Sequence, residues 1–162
     1  MKLISQLEKY AQSLQEKTEE ITKAVVQEGE RIMQTNLDNA EYSGSLKSHV
    51  EMSQNKNSGE ISLVGSDAGF IEFGTGTHYP DNHPQASEFG AIRGRYGKGY
   101  GENPPWTFTD TTSGTTGEYY GTAKFGVIFE TMGNPANRVV YNTARELERT
   151  YLNIAKEVFK ND

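Results

Sequence analysis

Glu72, His78 and His83 come nearest, by type and spacing, to a reactive set in this chain. Glu72 sits in Phe70-Ile71-Glu72-Phe73-Gly74-Thr75-Gly76, between apolar neighbours. Desolvation of that kind is how an enzyme turns a carboxyl into a general acid. The other reading turns Ile71 and Phe73 toward the core or a neighbour and leaves Glu72 facing out or paired with a cation. No second carboxylate stands in a compelling relation to it, so the sequence favours a structural or interface carboxylate. His78, Asp81 and His83 raise the question of a metal. In Thr77-His78-Tyr79-Pro80-Asp81-Asn82-His83-Pro84 nothing enforces the geometry of a shared ion. These read as surface histidines beside turn prolines, and no metal site is expected.

A second constellation is Gly90-Ala91-Ile92-Arg93-Gly94-Arg95-Tyr96-Gly97-Lys98-Gly99-Tyr100, with basic and aromatic residues interleaved on a pliant backbone. Such a composition can touch single strands or phosphate backbones. It has no Gly-Lys-Ser/Thr ending and opens no helix, which excludes a nucleotide-phosphate loop. A loop meeting DNA in a channel and a loop docking on an acidic protein neighbour both fit, and the protein's own acidity favours the second. There is no nucleophile elbow, zincin pattern or dinucleotide fingerprint. The expectation is therefore no enzyme, no catalytic residue and no cofactor.

The totals set the frame for these groups. The chain of 162 residues suits one domain. Its hydrophobic fraction is only 34%, with 17 Gly and 9 Tyr, which predicts a thin core completed against neighbouring subunits. A net charge of -6 argues against a general nucleic-acid binder, although a local basic stretch can still touch DNA. The absence of cysteine excludes disulfides and thiolate chemistry and suits assembly in a reducing cytoplasm. Met1-Lys2-Leu3-Ile4-Ser5-Gln6-Leu7 has no secretory apolar core, and no run approaches the roughly 18 apolar residues of a membrane helix. The expected site of synthesis is the cytoplasm, without a membrane partner.

The elements that would position these groups follow from periodicity. Leu7, Ala11, Leu14, Thr18, Ile21, Val25 and Ile32 step by fours and threes, predicting a helix over 3–37 packed on the domain's own sheet, with a bend near Glu28 and Gly29. Alternation through Leu46, Ser48, Val50 and Met52 predicts a strand. Asn55 to Gly59 makes a hairpin turn, Glu60 to Gly65 returns, and Phe70 to Phe73 is a third short run, so strands lie within 45–74. Val140, Ala144, Leu147, Tyr151, Ile154 and Val158 predict a helix over 135–160, with Asn134 as N-cap and Pro135 in its first turn. The fold class is α+β: an antiparallel β-sheet with a long N-terminal helix and a C-terminal helix packed on it. A long Gly/Tyr-rich insertion over 77–125 completes the chain.

That insertion holds four of the chain's five prolines and many glycines, yet its aromatics argue against simple disorder. Trp106-Thr107-Phe108-Thr109 and Glu118-Tyr119-Tyr120 predict a hairpin holding Trp106 near the Glu72 strand. The stretch from His78 to Phe125 is expected to be the main assembly surface, partly mobile until assembled. The candidate interface residues are Glu72, Phe73, Tyr79, Arg93, Arg95, Tyr96, Tyr100 and Trp106.

Several segments, in order, resemble one family: the neck or tail-completion proteins of long-tailed double-stranded-DNA bacteriophages, often labelled minor tail components. They are the leading amphipathic helix, the turn and strand Ser43-Gly44-Ser45-Leu46-Lys47-Ser48, and the string Ile71-Glu72-Phe73-Gly74-Thr75-Gly76. Pro105-Trp106-Thr107-Phe108 is similar to a hairpin of versions from phages of Gram-positive bacteria. Asn134-Pro135-Ala136-Asn137-Arg138-Val139-Val140-Tyr141 is similar to the family's entry into its last helix, with Val139-Val140 where Phe-Met or Phe-Leu is usual. The usual entry to the first strand is also weakened, to Glu41-Tyr42-Ser43-Gly44.

The resemblance covers nearly the whole chain. It implies a virion protein of the head–tail connector, forming a homo-oligomeric ring of six or twelve copies that joins or completes the tail. Other neck and tail proteins would be its partners, and passing double-stranded DNA a non-specific contact. The alternatives are a phage-encoded hydrolase using Glu72, His78 and His83, or a DNA-binding accessory protein using Arg93, Arg95 and Lys98.

Overall fold

The structure, a computed structural model, describes residues 2–42, 46–75, 83–91, 106–110, 118–123, 126–131 and 133–160. The chain is α+β. Helix α1 (Lys2–Asp38) leads into strands β1 (Ser48–Gln54) and β2 (Gly59–Gly65), followed by a short helix α2 (Ala68–Phe73). Strands β3 (Trp106–Asp110), β4 (Glu118–Ala123) and β5 (Gly126–Thr131) come next, and helix α3 (Val139–Lys160) closes the described chain. Among the described residues no helix is long and apolar enough to cross a membrane.

α1 and α3 pack antiparallel. Asn36 donates to the Thr143 hydroxyl at 3.1 Å, Leu147 lies over Gly29, and Lys17 reaches the Val158 carbonyl and the Phe159 ring. α1 also rests on the β1–β2 hairpin. Gly29 is where the three layers converge: a Cβ there would run into Ile61 Cδ1 and stand 2.8 Å from Leu147 Cδ1. Glycine is a poor helix former, so its place here reflects close approach of neighbours and not a bend, for α1 runs unbroken through it. The core gathers Met33, Leu37, Ile71 and Val139, with Val50, Ile61, Leu63, Ala40 and Tyr42 packed around them.

β1 and β2 pair as the alternation predicts, with Val50 opposite Leu63 and Met52 opposite Ile61. The Asn55 side chain closes their turn by accepting from the backbone N–H groups of Asn57 and Ser58.

Four expectations need correction. Phe70–Phe73 is helical, not a strand: a run this short has no decisive period, and Ile71, Glu72 and Phe73 each find a different neighbour around one turn. α3 starts at Val139, because residues 133–138 are held in an irregular segment by backbone bonds to Ile71, Glu72 and Thr75. Its inward stripe is Val139, Thr143, Leu147, Ile154 and Val158; Val140 and Tyr151 are exposed. Lastly, β3 and β4 do not pair with each other. Both pair antiparallel with β5 in the order β3-β5-β4. The centre of a three-stranded sheet falls to Val127-Ile128-Phe129, the strongest β-forming run of the segment.

Candidate functional site

The Glu-Phe-Gly-Thr string resolves into a clamp between α2 and the start of α3, each residue with its own task. Ile71 is 0% exposed in the core, and its carbonyl accepts from Asn137 N–H at 2.9 Å. Phe73 packs its ring, tilted, against His83, with centroids 4.5 Å apart, and against Phe89 at 5.6 Å. Gly74 has φ +73, and a Cβ on it would stand 2.6 Å from Ala136 N and 2.8 Å from the Asn134 carbonyl. Only glycine satisfies both the left-handed backbone and the close approach. Thr75 N–H donates to the Asn134 carbonyl at 2.8 Å, and its hydroxyl accepts from Asn134 N–H at 2.9 Å.

Glu72 supplies what α3 lacks. The first turn of a helix leaves backbone N–H groups without partners, and a Ser, Thr, Asp or Asn before it usually accepts from them. Here that position is Arg138, whose side chain has no acceptor. The Glu72 carboxylate reaches across instead: Oε2 accepts from Val140 N–H at 2.7 Å and Oε1 from Tyr141 N–H at 3.0 Å. The positive end of the helix dipole stabilises the carboxylate in return. Glu72 is buried, and its third donor is His83 Nε2, 2.8 Å from Oε1. His83 Nδ1 accepts from Gln85 N–H at 3.1 Å, so the ring is the neutral Nε2–H tautomer. His83 also meets Tyr141 edge-on at 5.5 Å.

Arg138 itself has φ 55, the only positive φ of a non-glycine residue among those described. Its backbone is fixed from both sides: its N–H donates to the Glu72 carbonyl at 3.1 Å and its carbonyl accepts from Asn142 N–H at 2.8 Å. A second anchor sits at the other end of α2. The buried Asp67 carboxylate accepts from Lys47 N–H at 2.8 Å and from the Ser48 hydroxyl, tying the start of β1 to α2.

An open cleft of about 590 Å³ lies beside the clamp, walled by Leu63, Phe73, Phe89 and Tyr141 and rimmed by the Arg145–Glu148 ion pair. Glu72 and His83 form part of its wall. Three donors hold the Glu72 carboxylate and both His83 nitrogens are engaged, so both side chains are fixed in place by the fold. Among the described residues no three His, Asp or Glu side chains gather as a metal site requires.

Of the residues singled out from sequence, Glu72 and Phe73 meet in this clamp, and His83, read there as a surface histidine, is buried in it. Glu72 does not face out. Tyr79, Arg93, Arg95, Tyr96 and Tyr100 lie outside the described residues, as do His78, Asp81 and Lys98. Trp106 opens β3, and the Glu72 segment it was expected to lie near is a helix, not a strand; of the Trp106 side chain nothing is described. Residues 83–91, within the stretch expected to be partly mobile until assembled, form a compact turn whose Ala86 and Ala91 are buried against Phe73. Sequence reasoning missed Asp67, Asn134 and Asn137 as anchors. The signal available was Arg138 itself, a residue unable to cap the helix that follows it.

No protein-family model matches the chain, no curated protein matches it, and no solved structure matches it.

Proposed function

We propose that this protein is a structural, non-catalytic subunit of a bacteriophage neck, forming a ring that joins or completes the tail and lines the DNA passage. The observation that carries the proposal is the free end of α1. Beyond the contact of Lys17 with the end of α3, the helix runs on to Lys2, and Leu3, Leu7 and Tyr10 are 68%, 60% and 65% exposed. At about 1.5 Å per residue that end projects about 20 Å. An apolar stripe on a projecting helix is a surface for assembly, since a lone domain gains nothing from leaving it in water. The resemblance of the Glu-Phe-Gly-Thr-Gly string and its flanking segments to neck proteins names the assembly. The clamp fits it, because every residue of Ile71 to Thr75 serves architecture.

Deletion of the gene from the phage or prophage that carries it tests the role. Filled heads and separate tails are expected, and normal infectious particles would overturn the proposal. In solution, native mass spectrometry of the purified chain should find a closed ring, alone or with a neighbouring neck protein. The Leu7→Ser, Leu14→Ser double variant should remain a folded monomer.

A further inference from the structure

Two apolar surfaces of opposite shape stand uncovered among the described residues. One is the projecting end of α1, with Leu3, Ile4, Leu7 and Tyr10 at its surface. The other is the open cleft of about 590 Å³ beside α2 and the start of α3, walled by Leu63, Phe73, Phe89 and Tyr141, with Ala144 exposed on its α3 side. Exposed apolar surface of this extent marks a place where another surface belongs. Neither of the two can serve the other within one molecule. α1 and α3 run antiparallel, with Lys17 beside Val158 and Asn36 beside Thr143. At about 1.5 Å per residue, Tyr141 to Val158 spans about 25 Å, and Lys17 back to Leu7 adds about 15 Å in the same direction. The stripe therefore stands about 40 Å from the cleft of its own copy.

We propose that the apolar end of α1 seats in the cleft of a second copy of this chain. The inference rests on the ring reading and names the two patches of its subunit contact. A ring of more than two copies needs a contact in which each subunit offers two different, complementary patches; one patch meeting itself closes a dimer and stops. A projecting stripe and a recess on one molecule are such a pair. Local charge favours their meeting although the whole chain carries -6. The end of α1 holds Lys2 and Lys9 against Glu8 and is net positive, while the cleft is lined by Glu72 and Glu148 against Arg145 and, with His83 neutral, is net negative. Complementary charge orients the approach, and burial of the stripe holds it. Stripe against stripe would instead bring two net-positive ends together.

The test uses two full-length variants, each spoiled on one side. Leu7→Ser, Leu14→Ser removes the stripe, and Ala144→Arg puts a long cation into the cleft from an exposed helix position. In sedimentation the wild-type chain should form species larger than a dimer. Each variant alone should associate at least tenfold more weakly, with the thermal midpoint of the wild-type monomer. Mixed in equal amounts they should form a dimer and nothing larger, since one copy keeps its stripe and the other its cleft. A mixture that stays monomeric would overturn the contact, and dimers of Ala144→Arg alone would overturn it in favour of stripe meeting stripe. Ala144→Arg assembling like wild type would remove the cleft from the contact and leave the ring reading standing. If Ala144→Arg lowers the midpoint, Phe89→Ser takes its place, at a side chain 67% exposed, with the same outcomes. A wild-type chain that stays monomeric at every concentration would overturn the contact as well, and the deletion phenotype then judges the neck reading on its own.

Discussion

Residues 3–14 and 26–37 belong to one helix and carry apolar side chains at the same helical spacing, yet they meet opposite environments. Val26, Ile32, Met33 and Leu37 are buried against α3 and the β1–β2 hairpin, while Leu3, Ile4, Leu7, Tyr10 and Leu14 are exposed. Periodicity states which face of a helix is apolar; it does not state whether the same molecule holds the partner. In the second half the partner is intramolecular and the helix is fixed to it by Gly29. In the first half α3 has ended, and the stripe continues past it.

The comparison breaks most readily at the core that the buried half shares. Ile71→Ala should cost about 2–5 kcal/mol in chemical denaturation, because the side chain is fully enclosed with Met33, Leu37 and Val139. A smaller loss would mean that the site collapses around the gap. Glu72→Ala strips three donors of their acceptor and should cost about 3 kcal/mol, with amide exchange quickened at Val140 and Tyr141 before the rest of α3. Uniform exchange along α3 would deny Glu72 its role as a cap. Gly29→Ala sharpens the contrast: alanine is the better helix former, yet overpacking against Ile61 and Leu147 should destabilise by about 1–3 kcal/mol. Stabilisation would show that the layers are not in close contact there.

Leu7→Ser in the exposed half should change monomer stability by less than about 0.5 kcal/mol while reducing association. A large loss would place a partner on that stripe within the monomer. The smallest effect concerns Glu28. The hydrogen bond from the Arg31 guanidinium, aided by its charge, holds the Glu28 carboxyl below the ordinary carboxylate range. A carboxyl lowered in the folded state adds stability above its unfolded value and loses it as pH falls through the folded value. Glu28→Gln should therefore weaken the fold slightly at neutral pH, with no difference from wild type once the solution is acid enough to protonate the carboxyl. A constant difference across that range would exclude the ion pair as its cause.

Both long helices and the first hairpin were legible in the sequence, because each rests on a local pattern: a helical stripe, an alternation, an Asn-led turn. What was not legible depends on residues far apart in the chain. Nothing local to Phe70–Phe73 favours helix over strand; the choice follows from Glu72 meeting Val140 and Tyr141. Nothing local to Asn134-Pro135 bars a helix start there; the bar is Thr75 and Gly74 pressed against that backbone. The Glu72–His83 pair was hidden for the same reason, since a histidine between a polar stretch and a proline gives no sign of burial.

The tie between Thr75 and Asn134 also fixes how freely this chain can change in length. The Thr75–Asn134 bonds close a gate between the two ends of the stretch they flank, and within that stretch Ala91 is buried against Phe73. Closing a flexible loop costs only about 0.6 kcal/mol more for each doubling of its length. Insertions or deletions between Ala91 and Gly133 should therefore leave the helices and the first hairpin folded so long as those bonds hold. A descendant could exchange β3, β4 and β5 for another appendage and keep the same clamp, so the gate separates what can drift from what must stay.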